Sequence, residues 1–250
     1  MRRGSRWRPC VGAAAVCLLA GHAVAATPEA RPVERWQAVL AAGDDAEPVF
    51  DDATRAVASR LVADGVPAAD IHRLSASRAQ LRDGVEPSTI PMLLRRIAGL
   101  PVLPGERCLV FLTSHGEQGA GLWLARSHAA LHPEALARAL SQGCGAAPTV
   151  AIVSGCYTGG FAAGVMARPN RIILTAARAD RPSFGCAVGR TYSYFDECLL
   201  GALPPQFATW QAVFGGTKGC VAQMERRLGV RPSEPQAYFG AAVAEISVGF

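Results

Sequence analysis

The sequence predicts an α/β fold with a mostly parallel central sheet covered by helices on both faces. Apolar runs of strand length, such as CLVFLTS and TVAIVS, alternate with longer stretches of helical period. The runs are continuously apolar, the pattern of strands buried on both faces. The chain has 250 residues and is half hydrophobic, enough for one sizeable core. No internal repeat or low-complexity linker divides it.

WQAVLAAG (36–43) reads as the first buried strand. DDATRAVASRLVADG follows as a helix, because Ala53, Val57 and Leu61 recur every four residues, and Asp51 or Asp52 is placed to cap it. DIHRLSA (70–76) is a second strand. STIPMLLRRIAG places Ile90, Leu93, Leu94 and Ile97 on one helical face and closes on Gly99. CLVFLTS (108–114) is a strongly apolar third strand, and GLWLA (121–125) a short extra strand or hairpin arm. HPEALARALSQG is a helix with Pro133 in its first turn and Gly143 past its end. TVAIVS (149–154) and RIILTAA (171–177) are the fourth and fifth main strands. TYSYFDECLLGAL and TWQAVFGGTKGCVAQMERRLG are C-terminal helices, the second interrupted near Gly215 and Gly216. Trp123 and Trp210 read as core residues.

Residues 1–25 have the layout of a secretory signal peptide. MRRGSRWRP carries four arginines and no acid, CVGAAAVCLLAG is a short apolar run, and AVA at 23–25 is a small-x-small cleavage signal. The apolar run falls short of the roughly 20 residues of a membrane span; an uncleaved anchor is the rival reading. The expectation is export, periplasmic or secreted, with cleavage after Ala25. Residues 26–250 then form a single domain without stable membrane insertion. The net charge is +5, and Arg2, Arg3, Arg6 and Arg8 supply four of those charges, so the remainder is near +1. No Lys/Arg stripe or stacking motif points to nucleic acid.

Six cysteines lie beyond residue 25: Cys108, Cys144, Cys156, Cys186, Cys198 and Cys220. No CxxC occurs, so a zinc ribbon or thioredoxin-type site is unsupported. In an exported protein some of these pair. If Cys156 is kept for chemistry, at least one other is unpaired. The spacing of Cys186 and Cys198 permits a bridge without requiring one.

Parallel sheets gather chemistry at the carboxyl ends of their strands. The third strand runs out at His115-Gly116, the fourth at Cys156 and the fifth at Arg178-Ala179-Asp180. If these strands are neighbours, a histidine and a cysteine face one cleft. A helix in YTGGFAAGVM would lower the thiol's pKa through its positive end. His115 would move protons, and the backbone N–H groups of Gly116 and Cys156 would receive an oxyanion. Every histidine precedes Cys156, which excludes papain-like and α/β-hydrolase orders and matches the His-then-Cys order of caspases.

FLTSHG, VSGCYTGGF and TAARADRPSFGC together resemble the legumain (asparaginyl endopeptidase) family of cysteine peptidases, and most closely its bacterial exported members. GDDAEPVFDDAT and RPSEPQAYFG add to the likeness, which runs from about Trp36 to Gly240. The resemblance implies a three-layer α/β/α caspase-like fold, a catalytic dyad of His115 and Cys156, and backbone donors at Gly116 and Cys156. It implies a substrate pocket at Ser154, Ser183 and Arg190, with Asp180 at the cleft or capping a turn. Legumains carry Glu where this chain has Ser154, and an acid where it has Arg190; an arginine at the pocket would accept Asp as well as Asn. Only 94 residues follow Cys156, too few for a large C-terminal prodomain.

The expected activity is endopeptidase cleavage of a peptide or protein through a thioester, with no metal or cofactor. Transpeptidation by the same dyad and non-catalytic peptide binding are the alternatives. His128 and His132 have i, i+4 spacing, but Pro133 puts His132 at or before the helix start, so they read as solvated loop histidines rather than zinc ligands. Arg178 is placed to pair with Asp180 or to meet substrate.

Overall fold

The computed structural model describes residues 1, 4, 35–82, 84–187, 189–203 and 208–249. The signal-peptide expectation falls outside the described residues, apart from positions 1 and 4. The chain divides into a unit of Met1–Pro32 and a unit of Val33–Phe250, and every element below belongs to the second.

The strands are β1 (Trp36–Ala42), β2 (Ile71–Ser75), β3 (Glu86–Pro87), β4 (Arg107–Thr113), β5 (Gly116–Glu117), β6 (Gly121–Leu124), β7 (Ala129–Leu131), β8 (Thr149–Ser154), β9 (Arg171–Thr175) and β10 (Gln236–Phe239). The helices are α1 (Val49–Ala63), α2 (Ile90–Ala98), α3 (Pro133–Gly143), α4 (Tyr194–Ala202) and α5 (Trp210–Leu228). A seven-stranded sheet runs β10-β9-β8-β4-β1-β2-β3, parallel throughout except for β10 against β9. β5, β6 and β7 form a separate antiparallel sheet.

Side-chain alternation in the buried strands splits the core in two. Trp36, Ala38 and Leu40 pack with Val57 and Leu61 of α1, Leu199 of α4 and Val213 of α5. Val39 and Ala41 pack with Leu93 and Ile97 of α2 and Leu136 and Leu140 of α3. The result is an α/β/α sandwich consistent with a caspase-like fold.

Most elements fall where the apolar pattern puts them; three local expectations are corrected, and the cysteine pairing left open by the spacing is answered. Asp51 and Asp52 do not cap α1: Pro48 precedes it without a side-chain cap, and both acids sit in the first turn, facing the helix's positive end. Gly143 is the last residue of α3, not the one past it. α5 runs unbroken through Gly215 and Gly216, because Gly216 packs closely on Ala202 and the Cys198–Cys220 disulfide ties the helix to α4. Cys186 does not bridge Cys198, whose helix faces α5; the second disulfide is Cys108–Cys144, joining β4 to the end of α3.

At the amino ends of the strands the two arginines Arg35 and Arg171 have hydrogen-bond acceptors, charged for the first and neutral for the second. The Arg35 guanidinium donates to Asp70 at 3.0 Å and lies 3.3 Å from Glu106. Arg171, 1% exposed, donates to the Ser141 hydroxyl at 2.9 Å and to the carbonyls of Ala137 and Met166.

The sheet order places the crevice. From β1 the chain crosses through α1 to β2, and from β4 through α3 to β8, on the opposite face. Adjacent strands whose connections leave in opposite directions open a crevice beyond their carboxyl ends. Here that position lies between the residues after Ala42 and those after Thr113, and immediately beyond the strands it is filled: the Gly43 N–H donates to the Thr113 carbonyl at 2.9 Å, and a Cβ on Gly43 would stand 2.6 Å from the Ser114 Oγ.

Candidate active site

Ser114 and His115 follow β4, and the Ser114 N–H donates to the Ser154 carbonyl at 3.0 Å, carrying the sheet pairing one residue beyond the strand. His115 is half-buried, and its ring meets Phe50 edge to face at 5.1 Å between centroids. Its carbonyl accepts from the Trp123 N–H at 2.9 Å. Gly116 lies opposite Leu122, one residue past that bonded pair. It is therefore a non-hydrogen-bonded position, with its N–H turned away from β6.

Gly116 is where the two segments meet. A Cβ there would stand 1.7 Å from the Cys156 carbonyl oxygen and 3.0 Å from its nitrogen, so only glycine allows this approach. Cys156 is half-buried with a free thiol. Its sulfur accepts from the Ser183 N–H at 3.3 Å and lies 3.4 Å from the Ser183 carbonyl and 3.8 Å from its hydroxyl. Among the described residues no acceptor takes the Cys156 N–H.

The helix expected after Cys156 is absent. Tyr157 takes a left-handed φ of 59°, and two short 3-10 turns follow, Thr158–Ala162 and Gly164–Met166. The glycines there allow close approach instead of helix: a Cβ on Gly159 would lie 2.5 Å from the Ala179 nitrogen. No helix dipole acts on the thiol from this segment. A cavity of about 360 Å³ opens beside Tyr157, lined also by Gly121, His132, Phe161 and Ala179.

The other expected pocket residues divide. Ser183 touches the sulfur. Ser154 is 2% exposed, and its hydroxyl lies near the carboxyl of Asp196. Asp180 pairs with Arg178 through two 2.9 Å bonds, and Arg178 also reaches Glu234 at 3.1 Å, so this network ties the loop after β9 to the segment before β10. Arg190 pairs with Glu197, donates to the Tyr192 carbonyl at 3.2 Å and lies 4.4 Å over the Tyr194 ring. His128 precedes α3 with a left-handed φ, and His132 is the residue before its first turn, so they share no helical face. Among the described residues no three His, Cys, Asp or Glu side chains converge as metal ligands.

Four residues near the carboxyl ends of β1 and β4 were given no site role by sequence reasoning. Asp196, fully buried in the first turn of α4, accepts from the hydroxyls of Thr113 and Ser193 at 2.8 Å each, while its Oδ1 has no partner among the described residues. Burial raises its pKa, against the neighbouring hydroxyls of Ser154, Thr113 and Ser193. Asp44 and Glu47 follow β1, Asp44 8% exposed and Glu47 half-buried. Cys186, a free thiol, packs on Ala42, Val49 and Phe50. Burial, then the charges of Asp196, Cys156, Glu47 and Asp44, push its pKa up to about 12. The spacing of Ser193 and Asp196 signals a helix cap; nothing in it signals burial.

No curated protein matches the chain. No helix among the described residues is long and apolar enough to cross a membrane. Residues 102–208 match the model of the Peptidase C13 family, and that span holds His115, Cys156, Ser183 and Asp196. Over these residues the chain is similar to the Peptidase C13 family, whose chemistry is that of a cysteine peptidase.

Proposed function

We propose that the protein is an exported cysteine endopeptidase in which Cys156 is the nucleophile and His115 the general acid and base. One observation carries the reading: the backbone contact between Gly116 and Cys156 brings a histidine and a free, half-buried thiol to one rim of the sheet. The Cys156 thiolate attacks the peptide carbonyl and a C–S bond forms. The N–H groups of Gly116 and Cys156, the first turned away from its ladder and the second without an acceptor among the described residues, receive the oxyanion. Protonated His115 gives its proton to the leaving amine as the C–N bond breaks. Water then attacks the thioester, His115 takes its proton, and the C–S bond breaks to release the acid and restore the Cys156 thiolate beside protonated His115.

Export draws support from the layout of residues 1–25 and from two disulfides, which persist in oxidising compartments. The family resemblance favours Asn or Asp before the cut. The case for Asp rested on Arg190, which is committed to Glu197 and Tyr194. A second reading, transfer to an amine instead of water, draws on the cavity beside Tyr157, which has room for an acceptor.

A peptide-library digest comparing wild type with Cys156→Ala and His115→Ala tests the proposal. Each substitution is expected to lower kcat/KM by about 10³-fold or more while the protein stays folded. Equal turnover by wild type and Cys156→Ala sinks it. An added amine that appears in the products separates transfer from hydrolysis.

A further inference from the structure

The crossover that follows Cys156 leaves a groove beside α3. A helix is the usual link between parallel strands, but here Thr158–Ala162 and Gly164–Met166 make only short 3-10 turns, and Glu134, Arg138 and Ser141 on the flank of α3 stay exposed. Two cavities lie along that flank. The first, about 360 Å³, starts beside Tyr157, the residue after Cys156, and reaches Glu134. The second, about 390 Å³, starts at Glu134 and runs between Arg138 and Ser141 of α3 and Val165 and Arg168 of the crossover. Glu134 lines both, so they form one groove leading away from Cys156 along α3. The hairpin that follows His115 supplies Gly119 and Gly121 to the near end, the side on which an amine protonated by His115 departs. The far end is positive. Arg138 and Arg168 are exposed, and among the described residues neither has an acidic partner. Beneath them Arg171 is buried and donates to the Ser141 hydroxyl and the Ala137 carbonyl, both of the groove, again with no acid among the described residues. Burial, then the charge of Arg168, lowers its pKa to about 10, so it stays charged at neutral pH.

Resting on the Cys156–His115 reading, we propose that this groove holds the substrate chain on the leaving-amine side of the cut and selects an acidic side chain, Asp or Glu, two to four residues after it, with Arg138 and Arg168 as the specificity-determining residues. The first residue after the cut fills the cavity beside Tyr157, against Phe161 and the turn at Gly119 and Gly121. Glu134 stands at the exit of that cavity and disfavours an acid there. Arg138 lies one helical turn further, about 6 Å along α3, a distance that an extended chain covers in about two residues. A carboxylate arriving there lies between guanidiniums on opposite banks of the groove and takes charge-assisted hydrogen bonds from both. Arg171 adds positive potential from below, where water screens it less than at the surface. A lysine at the same position meets like charge from three arginines.

The test uses internally quenched fluorogenic peptides that share the sequence before the cut found in the library digest and carry Glu or Lys in turn at each of the first four positions after it. Their carboxyl termini are amidated, so that no chain end supplies the carboxylate, and Cys156→Ala is the control for contaminating proteases. Glu at one of the second to fourth positions is expected to exceed Lys in kcat/KM by about fivefold, and Glu at the first position to give no gain. Arg138→Ala combined with Arg168→Ala, both exposed and with no ion pair to lose, is expected to bring that ratio close to one, whereas Arg227→Ala, at the exposed end of α5, leaves it in place. A wild-type ratio near one, a gain confined to the first position, or a ratio unmoved by the double substitution overturns the groove while leaving the peptidase reading intact. A ratio lowered as much by Arg227→Ala reveals a general charge effect and also overturns it. If no peptide is cut beyond the Cys156→Ala background, the catalytic reading falls and the groove with it.

Discussion

The two ends of the same parallel sheet are built to opposite rules. At the amino ends Arg35 meets Asp70 and Glu106, Arg171 is surrounded by acceptors, and Cys108 is bonded covalently to Cys144. At the carboxyl ends, among the described residues, Asp196 keeps an oxygen without a partner, two thiols stay free, and the Cys156 N–H has no acceptor. Buried polar groups in folded proteins are ordinarily paired. The amino rim uses most of its polar groups to hold the fold together, with the Gln37 Oε1 a buried exception; the carboxyl rim leaves thiols and an N–H free beside His115.

The sharpest way to break this contrast is to compare the two free thiols. With its pKa pushed up to about 12 from the usual 9.0, Cys186 is a thiol throughout the neutral range, and its thiolate is depleted roughly a thousandfold relative to an ordinary cysteine. Iodoacetamide at pH 8, read by peptide mass mapping, is expected to label Cys156 and spare Cys186; labelling of Cys186 appears only as the pH climbs toward that high value. Equal labelling at pH 8 would show that burial does not hold Cys186 in its thiol form.

Next in size is the covalent tie at the amino rim. Replacing Cys108 and Cys144 by alanine together is expected to cost about 3 to 4 kcal/mol by the loop-closure argument. Denaturant unfolding measures this, and turnover per folded molecule should hold. A larger loss of activity than of stability would mean that the staple also sets the active rim. The smallest effect belongs to the ion pairs: Glu106→Gln is expected to lower stability by about 1 kcal/mol, because Arg35 is half exposed and water screens the pair. A much greater loss would show the amino rim to be as finely balanced as the other.

The sheet was the most legible part of the sequence. β1, β4, β8 and β9 are continuous apolar runs, and their ends fell within two residues of the reading because burial on both faces leaves no other pattern. The juxtaposition of His115 and Cys156 segments followed from strand adjacency. Local propensity misled where tertiary contacts decide: Gly215 and Gly216 sit inside α5, while YTGGFAAGVM, with its alanines, forms only 3-10 turns. The small sheet of β5 to β7 was visible only as GLWLA, since strands of two to four residues carry almost no period. Asp196 was invisible for a different reason. Its carboxyl reaches Thr113, at the end of β4, from a helix 40 residues beyond Cys156, and no pattern near the cysteine announces it.

The placement of the two disulfides has a practical consequence for anyone following maturation on a gel. One bridge spans 108 to 144 and encloses the β5–β7 hairpins; the other spans 198 to 220. A single backbone cut inside either span leaves the fragments linked. Without reductant a nicked chain would migrate near the intact one, and the scission would be seen only after the bridges are opened.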